Sequence, residues 1–244
     1  MSDVCHVVTG AAGGIGLAVA ERLMERQGLV VAVDVNAESL AVRFDGRANV
    51  LPVACDLTSD EGVRKLVDAI GARNVQVQSF VHAAGFDQMA PLGMIKSDDV
   101  QRLMAIHAVF PMQFLGWMSK RTNHAKDAAA VLISSLSAHE GAKGHVAYAA
   151  AKGAVEGLLR PAAAELVGRG IRLNAVVLGV VETEMSKGWI GKLMPDQVDA
   201  LHRDYPLGLG RPENVAEVID FLLSSSARWV TGQTLVCDGG HGIV

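Results

Sequence analysis

Cysteine is scarce in this 244-residue chain, and the positions of the few cysteines exclude two kinds of site. Cys5, Cys55 and Cys237 are an odd number, with no C-x-x-C spacing and no neighbouring cluster of cysteine and histidine. This pattern argues against a disulfide framework and against a structural zinc site. We therefore expect buried, reduced thiols and no bound metal.

Excess positive charge and long apolar runs are also missing. The 22 Lys and Arg residues stand against 26 Asp and Glu, for a formal net charge of −4. Without a basic stripe, we expect no nucleic-acid partner. No apolar stretch reaches the roughly 18 residues of a membrane span, and Met1–His6 lacks the basic and apolar regions of a signal peptide. We predict a cytoplasmic protein with no membrane partner.

The composition favours a buried parallel sheet. Half of the residues are hydrophobic but only 5% are aromatic, and Ala, Val and Leu dominate. Such a composition is typical of parallel strands covered on both faces by Ala-rich helices. The predicted fold class is α/β, with residues 1–244 forming a single-domain Rossmann-type doubly wound parallel sheet of about seven strands flanked by helices.

Short apolar runs alternate with longer amphipathic segments, as βαβ units require. The predicted strands are Val4–Val8, Leu29–Val33, Val50–Ala54, Ser79–His82, Ala129–Ile133, Ile171–Leu178 and Thr234–Val236. The predicted helices are Ile15–Arg26, Ala37–Phe44, Asp60–Ile70, Asp99–Asn123, Val146–Val167 and Glu213–Ser224. Thr58 and Glu61 predict a capping box, Ser97–Asp99 favours a helix start, and Pro161 is expected to bend its helix.

A glycine-rich turn follows the first predicted strand. Its sequence is Thr9-Gly10-Ala11-Ala12-Gly13-Gly14-Ile15-Gly16, and a helix begins within it. Glycines let backbone amides approach a pyrophosphate at the positive end of the helix. The spacing Gly-x-x-x-Gly-x-Gly differs from the usual G-x-G-x-x-G fingerprint. A tight structural turn is the alternative, but its place after the first strand favours dinucleotide binding.

Asp34 ends the second predicted strand, eighteen residues after Gly16. A carboxylate at this place can accept hydrogen bonds from the adenosine ribose and repels a 2′-phosphate, which favours NAD over NADP. No Arg or Lys stands in the glycine turn or directly after Asp34. The alternative is that Asp34 caps the next helix, since Asp is a good N-cap.

Tyr148 and Lys152 are four residues apart, so a helix places them on one face. Lowering the pKa of a tyrosine from about 10 to about 7 takes roughly 4 kcal/mol, part of which a neighbouring ammonium supplies. Tyr148 can then exchange the hydroxyl proton of an alcohol as hydride moves to or from a nicotinamide. Ser135 follows the fifth predicted strand and can hold the substrate oxygen; its interval to Tyr148 selects it over Ser134 and Ser137.

These ordered motifs resemble the short-chain dehydrogenase/reductase family, in its branch of about 250 residues. The resemblance covers nearly the whole chain, including Asn174–Thr183, Gly210–Glu213 and Thr231–Gly240. It implies that Ser135, Tyr148 and Lys152 are the catalytic triad. It also implies a cofactor site formed by Gly10, Gly14, Ile15, Gly16, Asp34, Asp56, Leu57, Ala83, Gly85, Tyr148, Lys152, Val181 and Thr183.

Three positions depart from the family pattern. Ala83 replaces an Asn, and Leu178 replaces the Pro that usually precedes Gly179. His107 stands where the family has a fourth catalytic residue, an Asn whose main-chain carbonyl holds a water for proton relay. The resemblance implies that His107 keeps this role or relays protons through its imidazole. The alternative is a buried histidine without a catalytic role.

Substrate selection is expected in two regions. Residues 184–205 occupy the place of a mobile lid in the family, with a peripheral helix as the alternative interpretation. The apolar side chains of this segment are Trp189, Ile190, Leu193 and Met194. Further pocket candidates are Phe86, Ser137, His139 and His145.

The leading functional hypothesis is an oxidoreductase that transfers hydride between NAD(H) and a secondary alcohol or ketone, a small-molecule substrate that the sequence does not name. An NADPH-dependent 3-oxoacyl-thioester (carrier-protein) reductase is the alternative enzyme, and Asp34 counts against it. A dinucleotide-binding sensor or scaffold without turnover is the alternative of another class, and the intact triad counts against it. The resemblance also implies a homotetramer, assembled through the fourth and fifth predicted helices and the C-terminal segment.

Overall fold

Seven strands form one parallel sheet in the computed structural model, which describes residues 4–243. They are β1 (Val4–Thr9), β2 (Leu29–Asp34), β3 (Val50–Ala54), β4 (Gln76–His82), β5 (His124–Ser135), β6 (Ile171–Leu178) and β7 (Thr234–Cys237). Their spatial order is β3-β2-β1-β4-β5-β6-β7, with every neighbouring pair parallel. The order reverses between β1 and β4, where open α/β sheets bind ligands. The outermost residues of the predicted domain, 1–3 and 244, lie outside the described residues, and so does the start of the segment examined for a signal peptide.

Helices connect the strands and cover both faces of the sheet. They are α1 (Gly14–Leu23), α2 (Ala37–Phe44), α3 (Asp60–Gly71), α4 (Ser97–Met104), α5 (Phe110–Met118), α6 (Val146–Val167), α7 (Glu184–Ile190), α8 (Pro195–Arg203) and α9 (Pro212–Leu223). The predicted doubly wound parallel sheet is confirmed.

The apolar core forms two layers, one on each face of the sheet. One layer includes side chains of α3, α5 and α6, and the other includes side chains of α1, α2 and α9. The few phenylalanines concentrate in the first layer, where the ring of Phe80 on β4 lies 4.5 Å from that of Phe114 on α5. Phe110 packs edge-on against Phe80 at 6.3 Å. This aromatic contact holds the start of α5 over the carboxyl end of β4, beside the crevice.

The predicted helix over 99–123 is wrong as one continuous element. A π-helical turn over Ala105–Val109 separates α4 from α5. Pro111 has no N–H and cannot donate to the carbonyl of His107 four residues earlier, so regular α-helical bonding fails here. Phe110 instead donates to the carbonyl five residues before it. Such π-turns occur frequently at functional sites, and this one lies at the crevice.

Two predicted helix starts differ in detail. The cap of α3 is Ser59, whose hydroxyl accepts from the Gly62 amide at 3.1 Å, so the capping box predicted for Thr58 is wrong. Thr58 instead donates its hydroxyl to Asp56 Oδ1 at 2.7 Å. At α4, Ser97 is the first helical residue and does not cap the helix; the negative charges expected in the first turn are present.

The helix α6 continues through Pro161 to Val167, so the proline does not end it. The three cysteines are free thiols; Cys5 and Cys55 are buried, whereas Cys237 is partly exposed. Every helix within residues 4–243 is too short or too polar to cross a membrane. Those same residues contain no group of three His, Cys, Asp or Glu side chains placed to hold a metal ion.

Candidate active site

A cavity of about 810 Å³ opens over the carboxyl ends of the strands, a volume typical of small-molecule sites. All the residues predicted for catalysis or cofactor binding line it: Gly10, Gly14, Ile15, Gly16, Asp34, Asp56, Leu57, Ala83, Gly85, His107, Ser135, Tyr148, Lys152, Val181 and Thr183. The fold therefore brings together positions that are far apart in the sequence. This convergence is what the predicted site requires.

The glycine turn is closely packed on its neighbours. Gly10 has a φ of +71°, and a Cβ there would lie 2.8 Å from the Ala84 amide nitrogen. At Gly16, a Cβ would lie 2.1 Å from the Gly10 carbonyl oxygen. Gly14 has a φ of +52° and faces the Thr183 methyl group, which a Cβ would approach to 3.2 Å. The turn thus needs glycine at all three positions.

The amino end of α1 is suited to an anion. Its N-cap is Gly13, so no side chain occupies the free amides, and its first turn contains no acidic residue. No residue of the helix itself therefore compensates the positive end of its macrodipole. Together with the close approach that glycine permits, these residues fit the pyrophosphate of a dinucleotide.

The Asp34 carboxylate is held rigidly at the end of β2. Its Oδ2 accepts from the Ala12 amide in the glycine turn at 3.1 Å, and its Oδ1 accepts from the Asn36 amide at 3.0 Å. The cap of α2 is Asn36, which accepts from Ser39, so the alternative of Asp34 as helix cap is wrong. Asp34 lines the cavity beside the glycine turn, where the ribose of a dinucleotide is expected.

The Lys152 ammonium is almost fully buried, with 5% of the residue exposed. Its Nζ donates to the Ile133 carbonyl at 2.9 Å and lies 5.5 Å from the centre of the Tyr148 ring. Burial lowers the pKa of Lys152 to about 7, and the Asp87 carboxylate opposes this shift. The amine therefore lies beside the phenol, as the four-residue spacing predicts.

The expected lowering of the pKa of Tyr148 is not achieved by the protein's own residues. Burial raises the pKa of Tyr148 well above its ordinary value, and the negative charge of Asp87 raises it further. A hydrogen bond with Ser135 acts in the opposite direction. A phenolate lacks solvation at this place, and the Lys152 ammonium already donates to the Ile133 carbonyl. The phenol is neutral unless further positive charge enters the cavity.

The three serines after β5 have different partners. Ser134 donates its hydroxyl to Glu156 at 2.7 Å. Ser135 Oγ lies 3.2 Å from Ser137 Oγ, accepts from the Ser137 amide and lies within reach of Tyr148. Ser135 is thus the serine that the structure brings to the phenol, as the sequence interval predicts.

The His107 side chain belongs to the π-turn, is buried and lines the cavity. Its Nε2 donates to the Phe86 carbonyl at 3.1 Å, and its ring meets the Tyr148 ring edge-on at 5.6 Å. Burial, together with the nearby Lys152 charge, lowers the pKa of His107 to about 2. The imidazole is therefore neutral at neutral pH.

A second buried histidine, His82, was missed by the sequence analysis. Its Nε2 donates to the Ile106 carbonyl in the π-turn at 2.8 Å, and its Nδ1 accepts from the Thr9 hydroxyl at 2.8 Å. Thr9 in turn accepts from the Ala84 amide at 3.1 Å. This network joins β1, β4 and the π-turn, next to the position where Ala83 lacks the amide that the family has. The available signal in the sequence was His82 itself, a polar residue at the end of a predicted buried strand and directly before Ala83.

Of the residues predicted to contact substrate, some line the cavity and others do not. Phe86, Ser137, His145, Trp189 and Leu193 line the cavity. His139, Ile190 and Met194 do not line it, and His139 instead pairs with Glu156 at 2.9 Å.

Some cavity-lining side chains were not named as pocket candidates, and three of them bear on the site, including Tyr205 at the end of the predicted lid. Tyr205 accepts from the Val180 amide through its hydroxyl at 3.0 Å and stacks on His241 at 4.7 Å. Asp87 brings negative charge near Tyr148, whereas Glu140 lines the cavity and pairs with His241 at 3.0 Å. Their places depend on loop conformations, for which the sequence contains no periodic signal.

Comparisons with known proteins agree with this geometry. A family profile described as enoyl-(acyl carrier protein) reductase matches residues 10–241. D-threitol dehydrogenase of Mycolicibacterium smegmatis is 34% identical, over 97% of this chain and 92% of the relative. The 3-oxoacyl-(acyl-carrier-protein) reductase of Thermotoga maritima is 32% identical, over 97% and 96%. The chain therefore belongs to the short-chain dehydrogenase/reductase family.

Solved structures support the same class. A 4-hydroxyisoleucine dehydrogenase complexed with NADH superposes with a TM-score of 0.89, at 25% identity and 98% coverage of both chains. Levodione reductase superposes with a TM-score of 0.86, at 26% identity and full coverage. The protein is an oxidoreductase that acts on CH–OH groups or the corresponding ketones with a nicotinamide dinucleotide.

The contact between Gly85 and His107 gives a testable prediction. A Cβ at Gly85 would lie 2.2 Å from His107 Cε1, and its nearest neighbours are all atoms of that ring. We expect Gly85→Ala to lower the free energy of unfolding by about 1–3 kcal/mol, measured by urea denaturation.

In a His107→Ala background, the added methyl group meets no ring, so the cost of Gly85→Ala should fall below about 0.5 kcal/mol. Gly153→Ala is the matched control, because nothing lies within 4 Å of its added Cβ. Equal costs of Gly85→Ala in both backgrounds would show that His107 does not fill this space.

Proposed function

We propose that the protein interconverts a secondary alcohol and a ketone with NAD(H), using Tyr148 as the acid and base. The observation that carries this proposal is that Tyr148, with Lys152 and Ser135 beside it, lines the same cavity as the glycine turn and Asp34. The relatives that act on alcohols support the same reaction.

Each of the three side chains has a distinct task. Tyr148 accepts the hydroxyl proton of the alcohol as the carbon-bound hydrogen leaves as hydride, and donates it in the reverse direction. Ser135 holds the substrate oxygen by a hydrogen bond. When bound, the oxidised nicotinamide supplies the hydride acceptor and an additional positive charge. Lys152 stabilises the phenolate electrostatically, since its ammonium lies beside the phenol ring.

His107 acts through its backbone in this proposal. Its neutral imidazole donates to Phe86, and its pKa near 2 prevents it from carrying a proton at neutral pH. Pro111 leaves the His107 carbonyl without its α-helical donor, so this carbonyl is suited to hold a water for a proton relay. We therefore assign His107 to positioning, with the imidazole fixing the π-turn.

The cofactor is NAD(H) rather than NADP(H) in this proposal. The Asp34 carboxylate is fixed by two backbone amides and cannot easily turn away from a 2′-phosphate. Its negative charge repels that phosphate, whereas its oxygens can accept from a free ribose hydroxyl.

Residues 184–205 form α7 and α8 and are proposed to be the substrate lid. Trp189, Leu193 and Tyr205 reach the cavity from this segment. The apolar side chains that this segment presents to the cavity suit a lid that closes over a small organic substrate.

Two alternatives have weaker support. A carrier-protein reductase is represented among the relatives, but the fixed Asp34 carboxylate disfavours NADPH. A sensor or scaffold without turnover does not require a serine, a tyrosine and a buried lysine that line the same cavity.

Replacing the phenol tests the proton-transfer role. We expect Tyr148→Phe to lower kcat by about 10²- to 10⁴-fold with a secondary alcohol, because the proton then has no acceptor. Binding of NADH, followed by its fluorescence, should be retained because the aromatic ring remains. A variant with unchanged kcat would contradict the assignment, and the sensor hypothesis would then be favoured.

Replacing the carboxylate tests the cofactor. Asp34→Asn removes the repulsion of a 2′-phosphate, so the ratio of kcat/KM for NAD⁺ to that for NADP⁺ should fall by at least about tenfold. Asp45→Asn, an exposed acid after α2, is the control and should leave the ratio unchanged. A wild-type protein that prefers NADP⁺ would overturn the NAD assignment.

A homotetramer and a cytoplasmic location are also proposed from the family resemblance. Val109 and Met112 near the start of α5, and Leu235 and Val236 on the edge strand β7, are exposed apolar residues in the regions expected to form the interfaces. Light scattering should give a mass four times the 25.7 kDa of one chain. A monomeric mass would refute the tetramer.

A further inference from the structure

We infer that Asp87 and His145 form a subsite for a second hydroxyl group of the substrate, so that the preferred substrates are diols or polyols. This inference rests on the proposed function, because it concerns the substrate that Tyr148 acts on. It concerns a part of the cavity that the proposed proton transfer does not use.

The two side chains form a pair beside Tyr148. Asp87 follows β4, and His145 is the residue before α6, three residues ahead of Tyr148. Asp87 Oδ2 lies 3.4 Å from His145 Nε2, and the two side chains are 18% and 20% exposed. The His145 and Tyr148 rings meet edge-on at 6.4 Å. Both members of the pair line the cavity.

The pair is incompletely satisfied in its hydrogen bonding. Asp87 Oδ1 and His145 Nδ1 are buried and have no partner among the described residues. The other unpartnered buried atoms in residues 4–243 belong to His6 and Ser79, which are not among the residues lining the cavity. Native proteins satisfy nearly all buried polar groups, so two such atoms on neighbouring side chains that line the cavity indicate a ligand group.

The chemistry of the pair selects a hydroxyl. His145 Nε2 lies 3.4 Å from Asp87 Oδ2. A proton on Nε2, toward the carboxylate, leaves Nδ1 as an acceptor in the neutral ring and as a donor in the imidazolium. When His145 is the imidazolium, a hydroxyl accepts from Nδ1–H and donates to Asp87 Oδ1, so one group satisfies both atoms. In the neutral ring both atoms are acceptors, and the single proton of a hydroxyl reaches one of them. An ammonium matches only the neutral ring. A substrate carboxylate would meet the negative charge of Asp87, and an alkyl group would leave both atoms unpaired.

The distance of 6.4 Å between the His145 and Tyr148 rings places this subsite close to the reacting centre. The negative charge of Asp87 raises the pKa of both Tyr148 and Lys152, in agreement with this proximity. A second hydroxyl on a carbon near the reacting one can therefore reach the pair while the first hydroxyl lies at Tyr148.

The test compares butane-2,3-diol with butan-2-ol, which lacks the second hydroxyl. With NAD⁺, we expect the wild type to have a kcat/KM for the diol at least about tenfold above that for butan-2-ol. Asp87→Asn should reduce this ratio at least about tenfold, and His145→Phe should reduce it in the same direction. Asp87→Asn also alters the field at Tyr148, but this acts on both substrates and cancels in the ratio.

Matched controls lie outside the cavity. Asp98→Asn removes a carboxylate on the exposed surface of α4, and His139→Gln removes a histidine that pairs with Glu156. Neither should change the ratio. 1-Aminopropan-2-ol offers an ammonium in place of the second hydroxyl, and a preference for it over butane-2,3-diol would overturn the assignment to a hydroxyl.

Calorimetry separates failure of the subsite from failure of the proposed function. Butane-2,3-diol and butan-2-ol are titrated into the protein saturated with NADH, where neither alcohol is oxidised. Tighter binding of the diol, lost in Asp87→Asn, supports the subsite even if no alcohol is turned over. Equal binding or no binding of the two alcohols, or a preference unaffected by Asp87→Asn, overturns the inference whether or not butan-2-ol is oxidised.

Discussion

The site depends on one buried charge, the ammonium of Lys152. An unpaired amine inside a protein is costly, and here its Nζ is held by the Ile133 carbonyl at 2.9 Å while Asp87 supplies the opposite charge nearby. The cost appears as a pKa lowered to about 7. The amine lies beside a phenol that burial keeps neutral, so the two groups respond together to any charge that enters the cavity. A cationic ring is the kind of ligand that makes this phenol acidic.

The loops around this charge are held by hydrogen bonds from buried side chains to backbone carbonyls. His82 joins Thr9 on β1 to the π-turn, and His107 joins the same turn to the loop after β4. Both imidazoles have a lowered pKa because they are buried, so they act as neutral, rigid donors. The π-turn, whose hydrogen bonding Pro111 interrupts, is thereby held against the substrate end of the cavity. The aromatic contact of Phe80 with Phe114 supports it from the core.

Much of the fold was predictable because its causes are local. β-Branched runs specify the strands, and the spacings of the glycine turn and of Tyr148 and Lys152 specify which residues meet at the sheet edge. The π-turn was missed although Pro111 stands within the predicted helix, and that proline was a readable signal. The position of Asp87 and the direction in which the pKa of Tyr148 shifts could not be predicted. They depend on loop geometry and burial, which no periodic pattern encodes.

The most direct measurement of the central claim is the ionisation of Tyr148 itself. The chain has two tyrosines, so labelling their ring Cζ carbons with ¹³C gives two NMR signals that the Tyr148→Phe spectrum assigns. The account predicts that the Tyr148 signal stays that of a neutral phenol up to at least pH 10 in the protein alone, and that saturation with NAD⁺ lowers its titration midpoint while Tyr205 is little changed. A Tyr148 midpoint that does not move on binding NAD⁺ would contradict the account.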